Sequence, residues 1–309
     1  MEEPCCEPQA IVLYYVTQLA KQFVKVLISG EGGDEAFAGY SIYRNLAWLE
    51  WLKRLTSPLN GVASSALQAF SRRRHSRRIN KYAAILDVPL ESYYYSRTSN
   101  PGEYFNSHAA ELYSPHFIGN ADRDFSTSAV RQCFSASQGM GNVNRMLYMD
   151  TKTSLPDDLL LKADKMTMAN SVELRVPLLD HKVLEFAASL PEHFKLHGFT
   201  TKYIAKRALR KRVPREILQR KKAGFPVPYE SWLRTDLKDW VRDILLDRRS
   251  IQRGYFNRNA IETLLDEDCR YHNRPKEVFS LVALELWHRA FADGAKTAAV
   301  SRGAYEQVR

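Results

Sequence analysis

The chain has 309 residues, enough for one large or two smaller hydrophobic cores, and its 45% hydrophobic and 26% charged residues are ordinary for a folded globular protein. No apolar run approaches the roughly 20 residues of a membrane span, and the acidic N-terminus lacks the basic-then-apolar order of a signal peptide, so we expect a cytoplasmic protein without membrane segments. The net charge of +10 permits nucleic acid, anionic lipid or phosphorylated substrates as partners and does not choose among them.

The four cysteines do not have the spacing of a zinc site. Cys5 and Cys6 are adjacent, and Cys133 and Cys269 are far apart. No CxxC pair is present, and cytosolic thiols are normally reduced. We therefore expect four reduced cysteines with structural or incidental roles.

A strand, a glycine-rich turn and a helix start follow one another near the N-terminus. Residues 8–22 have apolar side chains at helical spacing, and residues 24–28 form a short apolar run that predicts a buried strand. The sequence SGEGGDE then places three glycines within four residues, which allows a tight turn and the approach of backbone N–H groups to a ligand. Asp34 and Glu35 fall where the next helix begins. This order is typical of phosphate and metal sites in α/β proteins.

The remainder of the chain predicts mainly helices. Their ranges are 40–55, 81–99 with the Tyr93-Tyr94-Tyr95 run, 144–153, a longer helix that begins at Leu155-Pro156-Asp157-Asp158, 180–190, 202–213 and several within 232–292. No further convincing strand is evident after residues 24–28. A single strand cannot satisfy its backbone hydrogen bonds, so we expect its neighbours in a segment upstream of this chain.

Three motifs, in this order, resemble the synthetase domain of glutamine-dependent asparagine synthetases. They are SGEGGDEAFAGY, LPDDLLLKADKMTMANSVELRVPLLDHK and QRKKAGFPVPYESWLR, and the similarity covers most of residues 4–290. The resemblance implies an α/β fold of the ATP-pyrophosphatase (adenine-nucleotide α-hydrolase-like) type in the intact domain. Residues 1–292 would be its mostly α-helical C-terminal part, with one clear parallel strand, and residues 293–309 a flexible tail.

Two parts of such enzymes are absent from this sequence. It contains no SGGxDS pyrophosphate loop and no glutaminase domain with a nucleophilic cysteine as its first residue. We therefore expect the chain alone to be inactive and its partner to be a missing N-terminal glutaminase portion, with a homodimer as a possible state of the intact enzyme.

The chemistry implied by the resemblance is ATP-dependent amide formation. A β-carboxylate oxygen of aspartate attacks the α-phosphorus of ATP, giving β-aspartyl-AMP and pyrophosphate, and ammonia derived from glutamine then displaces AMP to form asparagine. The barrier is largely electrostatic, so the site must neutralise charge on the phosphates. ATP and Mg²⁺ are the implied cofactors.

The resemblance also assigns site residues. Ser29 and Gly30 match positions that contact ATP, and Glu31 matches a residue that acts around the adenylate as a general base or by positioning ammonia. Asp34 matches a magnesium ligand, since this ion typically takes one or two carboxylates beside phosphate oxygens. Lys222 matches a lysine that neutralises the charge of the intermediate and of pyrophosphate.

Other charged residues in these motifs have weaker assignments. Lys162, Asp164 and Lys165 lie where the family has charged groups facing the site, whereas Glu35 is equally explained as an acid at a helix N-terminus. Glu173 and Arg175 are better explained as an internal ion pair that holds the loop than as catalytic groups.

Two alternative functions remain open at this point. The same domain serves ATP-dependent amidotransferases and cyclases that act on other carboxylates. A non-catalytic partner chain or a basic nucleic-acid binder is the other alternative, but its basis is the arginine cluster at 72–78, which lacks the interleaved aromatic residues of a stacking platform. Nucleic-acid binding is therefore not expected.

Overall fold

The computed structural model describes residues 2–55, 57, 60–74, 85–96, 103–120, 125–220 and 226–293. Helices dominate these residues, as the periodicity predicts. Those of the first half are α1 (Gln9–Ala20), α2 (Gly33–Phe37), α3 (Ser41–Leu55), α4 (Asn60–Arg74), α5 (Tyr104–Ser107), α6 (Ala109–Leu112), α7 (Pro115–Asn120), α8 (Phe125–Ala136) and α9 (Asn142–Lys152). Those of the second half are α10 (Leu161–Met168), α11 (His181–Ser189), α12 (Glu192–Lys195), α13 (Tyr203–Leu209), α14 (Arg215–Gln219), α15 (Tyr229–Arg234), α16 (Lys238–Leu246), α17 (Arg248–Gln252), α18 (Arg258–Tyr271) and α19 (Pro275–Trp287). Short 3-10 turns are Leu90–Ser92 and Pro177–Leu179, and π-helical turns are Leu155–Leu160 and His288–Ala292.

Two short parallel strands form the sheet of the described residues. Strand β1 (Val26–Ile28) pairs with β2 (Glu173–Arg175), with Leu27 opposite Leu174. The Glu173 N–H donates to the Lys25 carbonyl at 2.9 Å and so extends the pairing. The expectation that no strand downstream pairs with β1 is therefore wrong. Three residues are too few to show the alternation that would mark β2 in the sequence.

The predicted strand at residues 24–28 is present, but the prediction that this strand is buried is wrong. Val26 is 37% exposed and Ile28 is 77% exposed. Within the described residues the sheet has two strands, so one edge of β1 is not paired there. Such an apolar, half-paired strand is suited to further packing, because its open edge presents unpaired backbone groups.

The first hydrophobic core lies between α3, α8 and α9. It includes Tyr43 and Tyr94, whose hydroxyls both donate to the buried carboxylate of Asp150 at 2.6 Å. Burial raises the pKa of Tyr43 well above its usual value, with the nearby Asp150 charge as the next cause, so the phenol stays a donor. The prediction that the tyrosine run is partly core is confirmed. A helix over 81–99 is not present within 85–96, where Pro89 precedes a 3-10 turn and restricts its neighbours.

The second core is built by the C-terminal helices. Leu264 and Leu281 are among its buried members, with apolar side chains from α6, α15, α16, α18 and α19 around them. These helices present apolar residues at helical spacing on one side, which is the pattern that predicted helices within 232–292. None of the described helices is long and apolar enough to cross a membrane.

The predicted helices around the sheet are largely confirmed. The ranges 8–22, 40–55, 144–153 and 180–190 correspond to α1, α3, α9 and α11 within two residues at each end. Helix α11 begins at the predicted place because the Asp180 carboxylate accepts from the Lys182 N–H at 2.9 Å. Helix α10 packs against α1 and leads into β2, so the second motif returns to the sheet beside the first.

Candidate active site

The first and second motifs meet at one edge of the parallel sheet. The Ser29 N–H, directly after β1, donates to the Arg175 carbonyl at the end of β2 at 2.9 Å. Parallel strands place their carboxyl ends at the same edge, and ligands of α/β proteins bind beyond that edge. The loop 29–34 and the segment 176–180 therefore share the position where a ligand would lie.

Two glycines let these loops approach closely. Gly32 has a φ of 80°, and a Cβ there would lie 1.8 Å from Leu179 Cδ2. A Cβ on Gly33 would lie 2.6 Å from Leu178 Cδ1. A side chain at either position would separate the two motifs.

Gly30 has a different environment, because it faces open space. No heavy atom lies within 4 Å of the position that a Cβ would take. Ser29 and Glu31 on either side are half-buried, and no described residue forms an ion pair with Glu31. These three residues thus leave room at the sheet edge for a ligand to approach the backbone.

Asp34 and Lys202 form an ion pair in the same region. Lys202 Nζ lies 3.0 Å from Asp34 Oδ1, and both side chains are half-buried. Gly39 makes the pair possible, since a Cβ there would lie 1.7 Å from Asp34 Oδ1 and 2.3 Å from Lys202 Cε. Lys202 itself adopts the left-handed region, with φ 52°, immediately before α13. That conformation is costly for a residue with a Cβ.

Lys202 was not predicted as a site residue. In the sequence it is one lysine at the start of a predicted helix, and no local pattern distinguishes it from the basic residues that follow. The ion pair with Asp34 exists because the chain between them folds back, which local periodicity does not encode.

The side chains of the adjacent acids Asp34 and Glu35 lie in different environments. Glu35 is 1% exposed and accepts a hydrogen bond from the Tyr40 hydroxyl at 2.8 Å, so its carboxylate belongs to the interior. Asp34 offers a hard oxygen donor of the kind that Mg²⁺ takes, at the edge of the sheet. The described residues contain no group of three His, Cys, Asp or Glu that could hold a metal, so a magnesium ion at Asp34 would need further oxygen ligands.

The charged residues of the second motif contact the N-terminal segment. The buried Lys162 lies 4.0 Å from a Glu7 oxygen and 3.9 Å from an Asp158 oxygen, and Lys165 pairs with Glu2 at 2.9 Å. These cations thus hold the segment before α1 against α10.

The predicted ion pair of Glu173 and Arg175 is present, but the prediction that it is internal is wrong. The Arg175 Nε lies 2.8 Å from Glu173 Oε1, and both side chains are exposed at the surface of β2. The predicted Lys222 lies outside the described residues, which stop at Arg220 on that side and resume at residue 226.

Comparisons with known proteins identify the family of the chain. The sequence profile of the asparagine synthase family matches residues 1–289. Glutamine-hydrolyzing asparagine synthetase 1 of Bacillus subtilis strain 168 is 33% identical over 288 residues, which cover 93% of this chain and 44% of that protein. A putative glutamine-hydrolyzing asparagine synthetase of Mycobacterium bovis is 33% identical over 308 residues, or 99% of this chain and 45% of that protein.

A more distant similarity extends to a fungal protein. Amidase chyE of Penicillium rubens is 24% identical over 279 residues, which cover 80% of this chain and 38% of that protein. The chain thus spans less than half the length of these curated relatives. With a family profile that matches nearly all of its residues and two relatives at 33% identity, the chain belongs to the asparagine synthase family.

Proposed function

We propose that this chain forms one side of an ATP-dependent, amide-forming active site that converts aspartate and ammonia to asparagine. The observation that carries the proposal is the loop 29–34, which begins at the carboxyl end of β1 and packs on the second family motif through Gly32 and Gly33. Family membership supports the reaction class. The names of the relatives, which are glutamine-hydrolyzing asparagine synthetases, support aspartate as the acceptor and glutamine as the source of ammonia.

The proposed reaction has two displacements. A β-carboxylate oxygen of aspartate attacks the α-phosphorus of ATP, the bond from this phosphorus to the bridging oxygen breaks, and pyrophosphate leaves. Ammonia then attacks the carbonyl carbon of β-aspartyl-AMP, loses a proton, and expels AMP. Both steps move negative charge, so fixed donors and cations lower their barriers.

Each candidate residue has a role in this scheme that its chemistry suits. Ser29 and Gly30 would offer backbone donors to the nucleotide, for which the open space at Gly30 leaves room. The half-buried Glu31 would position ammonia or take its proton. Lys222 would neutralise charge on the intermediate and on pyrophosphate. Lys202 adds a cation close to the same place.

Asp34 is the proposed magnesium ligand. It would give one carboxylate oxygen, with phosphate oxygens and water completing the coordination, and the ion would then draw charge from the phosphates. Lys202 now pairs with this carboxylate at 3.0 Å, so the same oxygen must be shared or released. An intact ATP-pyrophosphatase fold, with further strands beside β1, belongs to this proposal.

A second candidate keeps the reaction and changes the acceptor to another carboxylate. The similarity to amidase chyE favours this second candidate, because a similar segment occurs in a protein that is not named an asparagine synthetase. Glu31 favours ammonia as the nucleophile in either case, because a carboxylate at that position suits proton removal from ammonia.

A chimera tests the function directly. The 309 residues replace the matching segment of the B. subtilis relative, and formation of asparagine and pyrophosphate from ATP, aspartate and ammonium is measured. We expect activity that Glu31→Gln lowers at least about a hundredfold, as expected when a general base is lost. The Glu173→Gln variant, which changes the exposed surface pair, serves as the matched control.

Two outcomes of this assay separate the alternatives. A chimera that binds ATP but releases pyrophosphate only with a different carboxylate would replace aspartate as the acceptor. A folded chimera with no carboxylate-dependent pyrophosphate release would contradict the proposal. For the 309 residues assayed alone, which lack an SGGxDS loop, we expect no pyrophosphate release.

A further inference from the structure

A strongly basic cavity lies beside the candidate active site. Its volume is about 1060 Å³, and it is enclosed by the start of α3, the residues before α13, and helices α13 and α14. No aspartate or glutamate is among its lining residues. Six cationic side chains line it: Arg44, Lys206, Arg207, Arg210, Arg215 and Arg220.

Among the described residues, no carboxylate neutralises these cations. Arg44 donates to Asn45 Oδ1 at 3.0 Å and to the Phe199 carbonyl at 3.5 Å, and Arg207 donates to the Tyr203 hydroxyl at 3.3 Å. In the described part of the chain, no carboxylate forms an ion pair with any of the six. Arginines elsewhere differ, as Arg234 is paired with Asp268 at 3.2 Å. Six like charges around one cavity repel one another, and a bound anion would relieve that repulsion.

The cavity begins at the ion pair of the candidate active site. Gly39 and Tyr40 are lining residues. Gly39 is also the residue that packs directly on Asp34 and Lys202, and Tyr40 donates to Glu35 of the same loop. An anion that leaves the neighbourhood of Asp34 therefore has this basic cavity next to it.

We infer that the cavity is a second anion site, which receives inorganic pyrophosphate as it leaves the reaction centre. This inference rests on the proposed function, because that reaction is the source of the pyrophosphate. Charge complementarity selects the ligand: a single carboxylate would neutralise one of six cations, whereas pyrophosphate carries several negative charges on two phosphate groups that suit guanidinium pairs.

Direct titration of the purified chain tests the inference without the reaction. Inorganic pyrophosphate is titrated by calorimetry in the absence of divalent cations. The test variant is Arg207→Gln with Arg210→Gln. The matched control is Arg270→Gln with Arg248→Gln, which removes the same charge from exposed helical positions. Arg270 lies over Tyr271 at 5.9 Å, much as Arg207 lies over Tyr203 at 5.7 Å.

We expect the test variant to raise the Kd for pyrophosphate at least about tenfold and the control to leave it unchanged, since each lost charge-assisted hydrogen bond is costly. Equal affinity in the two variants, or no pyrophosphate binding by the unsubstituted chain, would overturn the inference. The inference would also be overturned if a short single-stranded RNA bound more tightly than pyrophosphate and the test variant lost that binding. The cavity would then be a nucleic-acid site. The chimera assay is independent of these results, so failure of the proposed function and failure of this inference are distinguishable.

Discussion

Gly32 shows at the scale of one residue how the candidate site is assembled. Its φ of 80° lies in the left-handed region, and its hydrogen atoms face Leu179. Both properties exclude a side chain, but for different reasons: the first is a backbone preference and the second a steric contact between the two family motifs. Gly139 offers the comparison, because its φ is 83° and no heavy atom lies within 4 Å of its Cβ position.

We predict that Gly32→Ala lowers the free energy of unfolding by about 1–3 kcal/mol more than Gly139→Ala does. The shared φ makes the backbone cost similar, so the difference reports the contact with Leu179. Urea denaturation of both variants measures it. Equal losses would mean that the two loops are not in contact.

Lys195 shows a second residue-level effect, which is the cost of burying a cation. It is 2% exposed, and its ammonium donates to Asn144 Oδ1 at 2.7 Å. Burial lowers its pKa from 10.5 to about 8, while Glu192 opposes that change. In the unfolded chain the pKa returns to its usual value, so the unfolded state binds more protons between pH 8 and 10.5.

Stability should therefore rise with pH through that window, relative to a variant without the lysine. The comparison is between the unfolding free energy of the unsubstituted protein and that of Lys195→Met. From pH 8 to 10.5 we predict that the unsubstituted protein gains up to about 3 kcal/mol of stability relative to the variant. Below pH 8 the difference should be constant. A difference that does not change across the window would show that the Lys195 pKa is not lowered.

The sequence predicts the loop 29–34 but not Lys202, the cation that pairs with Asp34, and the difference has a physical reason. The loop is recognisable because a strand, a glycine turn and a helix start are encoded within a dozen neighbouring residues, whereas the roles of Ser29, Gly30, Glu31 and Asp34 come from the family resemblance and remain predictions. Lys202 approaches Asp34 through tertiary packing, and the basic cavity combines side chains from three separate helices. Neither has a local signature.

At the scale of elements, α1 is encoded by a local sequence pattern, whereas β2 is not. Helix α1 extends over three turns of apolar periodicity, so its bounds were predicted within two residues. Strand β2 has three residues and is recognisable by its pairing with β1 alone. The predicted helix over 81–99 failed where Pro89 breaks the pattern.

Helix α19 is held in place by ion pairs as well as by the packing of its apolar side. The carboxylate of Glu285, 4% exposed, accepts from Arg253 at 2.6 Å and from Arg289 at 2.7 Å. Burial alone would raise the pKa of Glu285, but these hydrogen bonds outweigh burial and lower it. Arg253 also pairs with Asp293, so one network joins α19 to the end of the described chain.

We predict that Glu285→Gln costs about 2–3 kcal/mol in unfolding free energy, because it removes the buried carboxylate that Arg253 and Arg289 share and leaves each guanidinium with one aspartate, Asp293 or Asp247. Asp266→Asn is the control, since it breaks a comparable 2.9 Å pair with Arg242 that is exposed on both sides, and it should cost at most about 1 kcal/mol. Thermal and urea unfolding measure both. Similar costs would mean that Glu285 is not the centre of a buried network.

At the scale of the whole molecule, the sheet edge lies apart from the two hydrophobic cores. One core is centred on α3, α8 and α9 and the other on the C-terminal helices, while β1 and β2 carry the loops of the family motifs. The cores can thus hold those loops in place without filling the space beyond the strands.

A matched pair of glycine variants in the chimera tests most directly whether the loop 29–34 contacts ATP. Gly30 and Gly119 both have open space at the Cβ position and no φ constraint, so Val at either should fold. We predict that Gly30→Val raises the Kd for ATP at least about tenfold, because its side chain would occupy the space that the nucleotide needs. Gly119→Val should leave the Kd unchanged. Equal ATP affinity in the two variants would contradict the assignment of this loop to the nucleotide.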